Sequence, residues 1–133
     1  MRIGIDIGGA LSEYPRILRQ LIDVCTSGGI EIYILSDMQD HDKMVVTLSA
    51  NGINVPPNRV ISANYAAHGE SCKAVASKEL NLDVLIDDFI GYVATPEAPP
   101  LRLLVMPDPS EPYYADEWIT DGSEGNFGRR PHV

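Results

Sequence analysis

"CKAVASKELNLDVLIDD", Cys72 to Asp88, joins two kinds of structure in one short run. Its first part reads as a helix from about Ser71 to Leu80, with Ser71 as a candidate N-cap. Asn81 tolerates the left-handed conformation that ends many helices. The second part, Leu82 to Ile86, reads as an apolar strand ending on Asp87 and Asp88. A helix that feeds directly into a buried strand belongs to a parallel sheet covered by helices.

The same alternation extends outward in both directions. The opening stretch "RIGIDIGGALSEYPRIL" holds strand one, Arg2 to Ile7. A helix follows from about Tyr14 or Pro15 to Ser27, with Pro15 suited to its first turn and Gly28-Gly29 ending it. Strand two is Ile30 to Leu35, and a second helix runs from about Asp40 to Asn51 with Met44, Val45 and Leu48 on one face. Asn58 to Ile61 gives a short third strand, and Ser62 to Glu70 reads as a loop. After strand four, a short helix reaches about Ala94, and a Pro-rich bend leads to strand five, Leu101 to Met106. The fold expected is α/β: one domain over 1–106, with 107–133 as a C-terminal extension. That extension is rich in Pro, Gly, Ser and acids, yet carries Tyr113, Tyr114, Trp118 and Phe127. A purely disordered tail rarely spends so many aromatics, so partial packing on the domain is expected.

The 133 residues suit one domain, and the 44% hydrophobic content is ordinary for a globular protein. A formal net charge of −9 disfavours nucleic-acid backbones and anionic membranes, both of which call for basic patches. The one basic cluster, Arg129-Arg130, reads as a solvated tail. No apolar stretch is long enough to span a bilayer, and the start lacks a charged leader with an apolar core. Neither cysteine sits in a zinc-ligand or Cys-x-x-Cys spacing. Cys25 falls with Leu18, Leu21 and Ile22 on an apolar helix face and is expected to be a buried thiol, Cys72 being the other cysteine. A reduced, cytoplasmic protein without structural zinc is expected.

In an open parallel sheet, ligands bind outside the carboxyl ends of the strands. Asp6 ends strand one, Ser36 follows strand two, and Asp87-Asp88 follow strand four, while Lys73 lies in the first turn of the helix before strand four. Taken singly, each has a duller explanation: a turn former, a helix cap, a surface lysine. Taken together, and with strands one, two and four adjacent, they converge. Clustered carboxylates repel unless a cation sits among them, and magnesium favours oxygen ligands. Lys73 and Ser36 would supply donors to phosphate oxygens.

On these residues the chain resembles a minimal, capless member of the haloacid dehalogenase-like superfamily, over roughly Arg2 to Met106. Asp6-Ile7-Gly8-Gly9-Ala10-Leu11 corresponds to the family's Asp-x-Asp-Gly-Thr-Leu loop, and Tyr33-Ile34-Leu35-Ser36 to its second motif. "CKAVASKELNLDVLIDD" resembles the third and fourth motifs together, with Lys73 fitting the lysine position best and Lys78 second. The resemblance implies a three-layer, Rossmann-like fold with a five-stranded parallel sheet in the order 5-4-1-2-3. It also implies a magnesium cofactor and a phosphohydrolase or phosphotransferase working through an aspartyl-phosphate. Carried over by position, Asp6 is nucleophile and metal ligand, and the Gly8 carbonyl and Asp87 or Asp88 are further ligands. Ser36, Lys73 and the Gly9 backbone bind the phosphoryl group, and Lys73 also supports catalysis. The partner implied is a small phosphorylated substrate or a phosphoprotein.

One departure bears on chemistry. Gly8 stands where the family's phosphatases carry a second aspartate as general acid and base. Positioned acid–base catalysis contributes about 10²–10⁴-fold, on the order of 3–5 kcal/mol. Its loss weighs on alkyl esters and little on acyl or aryl phosphates, whose leaving groups depart as anions. His41 and His68 lie in loops expected to border the site, where either is a candidate substitute acid or a solvated residue. The alternative function is a catalytically weak or inactive binding or assembly module, with the aromatic tail anchoring a partner or a second copy of the chain. A resemblance of "GIDIGG" to actin-like kinases fits Gly8 better, but such kinases need two large domains and a hairpin where Pro15 to Ser27 reads as a helix.

Overall fold

Alternation along β1 (Arg2–Ile5) sends Ile3 and Ile5 to one side of the sheet and Gly4 to the other. A side chain at Gly4 would meet the Leu82 methyl at 2.7 Å, so the absence of one lets the chain before β4 pack directly on the central strand. The structure, a computed structural model, describes residues 1–106 and 117–119. β1 pairs in parallel with β2 (Glu31–Ser36) on one side and β4 (Val84–Asp87) on the other. β3 (Val60–Ser62) and β5 (Leu101–Leu104) extend the two edges, also in parallel. The order is β3-β2-β1-β4-β5, which is 5-4-1-2-3 read from the β5 edge.

Helices cover both faces. On the first, Leu18 and Ile22 of α1 (Pro15–Ser27) and Met44 and Leu48 of α2 (His41–Ala50) join Ile3, Ile5, Ile32 and Ile34 in one core. On the second, Cys72 and Ala76 of α4 (Cys72–Leu80) and Tyr92 and Val93 of α5 (Ile90–Val93) pack with Tyr33, Leu35 and Leu85. The central strands are thus buried on both sides, as near-continuous apolar runs require. Among the described residues, no helix is long and apolar enough to cross a membrane.

Local sequence explains the element ends. The Asp40 carboxylate accepts the Lys43 N–H at 3.0 Å and caps α2. Asn81 takes the left-handed conformation (φ 53) that ends α4. Several expectations are corrected. The segment Ser62 to Glu70 is not a plain loop: it holds α3 (Tyr65–His68), capped by Asn64 accepting from the Ala67 N–H at 3.1 Å. Ser71 makes no side-chain cap, because a helical turn over Gly69–Ser71 already leads into α4. Cys25 is only partly buried at the outer end of α1, and Leu21 is 39% exposed, because Leu18 and Ile22 occupy the contact with the sheet.

Glu117–Ile119 return to the α1/α2 face. Trp118 is buried in that core. The Asn51 side chain holds the Ile119 backbone from both sides, donating to its carbonyl at 2.7 Å and accepting its N–H at 2.7 Å. Tyr113, Tyr114, Phe127 and Arg129-Arg130 lie outside the described residues.

Candidate functional site

Asp6 leaves β1 in extended conformation (φ −74, ψ 156), and the chain then turns tightly through Ile7–Leu11. Gly8 is extended and Gly9 has φ 79, a region open to glycine at little cost. The turn is fixed by Ser12 N–H donating to the Ile7 carbonyl at 2.9 Å and by Gly9 N–H donating to Ser12 Oγ at 2.9 Å. Gly9 is required for a second reason. A Cβ there would lie 2.0 Å from Asp88 Oδ2, so the Asp88 carboxylate rests on the bare glycine backbone.

That contact helps bring three carboxylates together. Oxygens of Asp6, Asp87 and Asp88 lie within 4.8 Å of one another. Lys73, from the first turn of α4, reaches into the group and donates to Asp6 Oδ1 at 2.7 Å and to Asp87 Oδ2. The remaining Asp87 oxygen accepts the Phe89 N–H at 2.9 Å. Lys73 and Asp87 are almost fully buried, and Asp6 is 7% exposed. The Tyr92 ring closes over the ammonium at 4.7 Å, and its hydroxyl donates to Asp37 Oδ2 at 2.6 Å.

The electrostatics follow from this packing. Burial raises the Asp6 carboxyl well above the usual carboxylate range, against the pull of Lys73 and with the repulsion of Asp87 and Asp88. Asp87 is raised for the same first reason, opposed by Lys73. Burial works against the Lys73 cation, yet attraction to Asp6 and Asp87 outweighs it and the amine holds its proton above the ordinary range. Burial and the hydrogen bond to Asp37 raise the Tyr92 phenol. With all three aspartates ionised, −3 stands against the +1 of Lys73, leaving −2. A divalent cation matches that remainder, and the donors are the hard oxygens such cations prefer.

The other expected residues are placed as follows. Ser36 is buried at the end of β2, where its Oγ accepts the Met38 N–H at 3.1 Å. Gly8 is half-buried in the turn, and the Gly9 N–H is already taken by Ser12. Lys78 is exposed in the last turn of α4, so Lys73 is the lysine brought to the carboxylates. The His41 ring pairs with the Pro57 carbonyl at 3.0 Å, and His68 is exposed on α3.

Sequence reasoning missed Tyr92 and Asp37. Tyr92 stands in α5, shortly after the paired aspartates, and carried no motif signal of its own. Asp37 directly follows Ser36 and carried no separate signal. In comparison with known proteins, the chain matches no family model and no curated relative.

Proposed function

We propose that this chain is a capless phosphohydrolase or phosphotransferase of the haloacid dehalogenase-like type, working through a phosphorylated Asp6. The observation that carries the reading is the meeting of Asp6 with Asp87 and Asp88 at the ends of two adjacent strands, with Lys73 between Asp6 and Asp87. A parallel sheet with β1 at its centre, flanked by β2 and β4, suits the three-layer family architecture.

Magnesium is the cofactor that this donor set fits. Asp6, Asp87 or Asp88, and the Gly8 carbonyl would hold it, and it would offset charge on the phosphoryl oxygens. The chain's own residues do the rest. An Asp6 oxygen bonds to phosphorus while the bond from phosphorus to the leaving oxygen breaks, its electron pair staying on the leaving group. Lys73 keeps Asp6 aligned, and of its three N–H donors two go to the carboxylates. Water then attacks the phosphorus, the bond to Asp6 breaks, and phosphate leaves with the carboxylate restored. Gly8 offers no proton relay, so substrates with anionic leaving groups, aryl or acyl phosphates, are favoured. The test is magnesium-dependent phosphate release from 4-nitrophenyl phosphate or acetyl phosphate, lost in Asp6→Asn. Absence of turnover on both contradicts the reading.

A second reading, a binding or assembly module, is favoured by one observation: the donors expected to hold a phosphate are already engaged within the chain. Lys73 is enclosed by two carboxylates and the Tyr92 ring, and the Gly9 amide is spent on Ser12. Calorimetry with magnesium and a metal fluoride separates the two. Tight, magnesium-dependent binding of that phosphate mimic supports catalysis, and its absence supports the module.

A further inference from the structure

α1 buries Leu18 and Ile22 against the sheet, and Arg19 turns toward α2, where it donates to the Asn51 carbonyl at 3.3 Å. Helical geometry places Ile17, Leu21 and Val24 on the opposite flank, where spacings of four and three residues align them as one stripe. That flank faces the β4 and β5 side of the sheet. The Tyr14 hydroxyl at the start of α1 donates to the Met106 carbonyl, just past β5, at 3.1 Å. The register sets Leu101 beside Val84 and Leu103 beside Ile86, so both leucines stand on the α1 face of β5. Ile17 and Val24 are 65% and 72% exposed, and Leu101 and Leu103 are 51% and 45% exposed. Parallel sheets are covered by helices on both faces, yet no helix among the described residues lies over this corner. An apolar trough is left between α1 and β5. Exposed apolar residues that gather in this way, rather than scatter singly, mark an association surface.

We infer that the occupant of this trough is α1 of a second copy, so that the protein forms a two-fold dimer through α1 and β5. Shape is the first argument. The trough has a helix as one wall and lacks a helix as its cover, and α1 itself carries the exposed stripe that such a cover needs. Packed antiparallel about a two-fold axis, each α1 fills the trough of the other copy. Ile17 then meets Val24 of the second copy, with Leu21 near the axis. Charge is the second argument. Arg16 and Asp23 stand seven residues apart on one exposed line of α1. Arg16 occupies the first turn, where the helix dipole favours an acid, and its ion pair with Glu117 is long at 3.6 Å and exposed. Antiparallel pairing sets Arg16 opposite Asp23 of the second copy, and the two-fold axis repeats that pair at the other end. The trough residues carry no charge, so the net −9 of each chain acts from a distance at which salt screens it. The trough lies on a face of the sheet and the carboxylates at the strand ends, so the dimer does not rest on the phosphate-site reading.

Sedimentation equilibrium of the full chain, from micromolar to millimolar concentration, tests this. The mass should rise toward that of two chains. Leu21→Glu and Val24→Glu each place a carboxylate in the interface and should raise the dissociation constant about tenfold or more. Val24 is largely exposed within one chain, so its replacement leaves the fold intact. Val46→Glu is the control: Val46 is exposed on α2, outside the trough, and its replacement should leave association unchanged. Arg16→Asp and Asp23→Arg should each weaken association roughly two- to tenfold, and the two changes made together should restore it. A single-chain mass at every concentration overturns the inference, as does a dimer that withstands both glutamate variants. A paired swap that fails to restore association overturns the antiparallel arrangement.

Discussion

Lys73 Nζ lies 2.7 Å from Asp6 Oδ1, joining the first turn of α4 to the end of β1 across the mouth of the sheet. The ammonium is almost fully buried and donates to Asp87 as well. It is both the counter-charge that lets two carboxylates share the interior and the group that aligns Asp6.

Removing that charge exposes its structural role. Lys73→Met leaves Asp6 and Asp87 buried without their cation and should cost about 3–5 kcal/mol at neutral pH in metal-free buffer. Both carboxyls are raised in the folded state. Their stabilising contribution is therefore complete below the ordinary carboxylate value of about 4 and is lost as pH rises through the folded values. The penalty for Lys73→Met should thus shrink toward pH 4. Urea midpoints at pH 4 and pH 7 check this; an equal penalty at both contradicts it.

Asp6→Asn should act in the opposite direction on stability. It removes a desolvated carboxylate and leaves Lys73 paired with Asp87. The metal-free midpoint should rise by a few degrees, while the stabilisation given by millimolar magnesium to the unaltered protein disappears. Thermal melts with magnesium and with EDTA measure both. A magnesium shift that survives the substitution removes Asp6 from the metal set.

Gly9→Ala tests how Asp88 is positioned. Its Cβ would lie 2.0 Å from Asp88 Oδ2, on a backbone at φ 79. Gly29→Ala is the control, with φ 83 and nothing within 4 Å of the added carbon. Both should lose roughly 1 kcal/mol or more to backbone strain. Only Gly9→Ala should also weaken magnesium binding, by calorimetry. Equal magnesium affinity in the two variants contradicts a role for the contact.

On the phosphohydrolase reading, Gly8→Asp should supply a general acid beside the leaving group. Turnover of an alkyl phosphate such as glycerol phosphate should rise by about 10²–10⁴-fold, with a much smaller gain on 4-nitrophenyl phosphate. An unchanged alkyl rate shows that position 8 does not face the leaving group.

How much of this was legible in the sequence follows from the range over which each signal acts. The apolar runs around Ile3, Ile32 and Leu85 and the stops at Gly28 and Asn81 are local, so the elements could be read within a residue or two. The convergence of Asp6 with Asp87 followed from strand adjacency and from residue types at strand ends. What remained hidden depends on contacts between segments far apart in the chain. Tyr92 bonding to Asp37, Asp88 resting on Gly9, and Asn51 holding Ile119 join different connections. Each was fixed only when the sheet brought those connections together. The choice between Lys73 and Lys78 was likewise a matter of helix face: one is buried at the site and the other faces water.

The most direct measurement is the site of covalent phosphorylation. On the proposed two-step reading, position 8 offers no side chain to activate water for the second step, so the aspartyl-phosphate should accumulate during turnover of an aryl phosphate with magnesium. After an acid quench and tryptic digestion, mass spectrometry should find one phosphoryl group on the peptide Ile3 to Arg16, localised to Asp6 and absent in Asp6→Asn. Turnover with that peptide unmodified, or a phosphoryl group placed on another residue, contradicts Asp6 as the nucleophile.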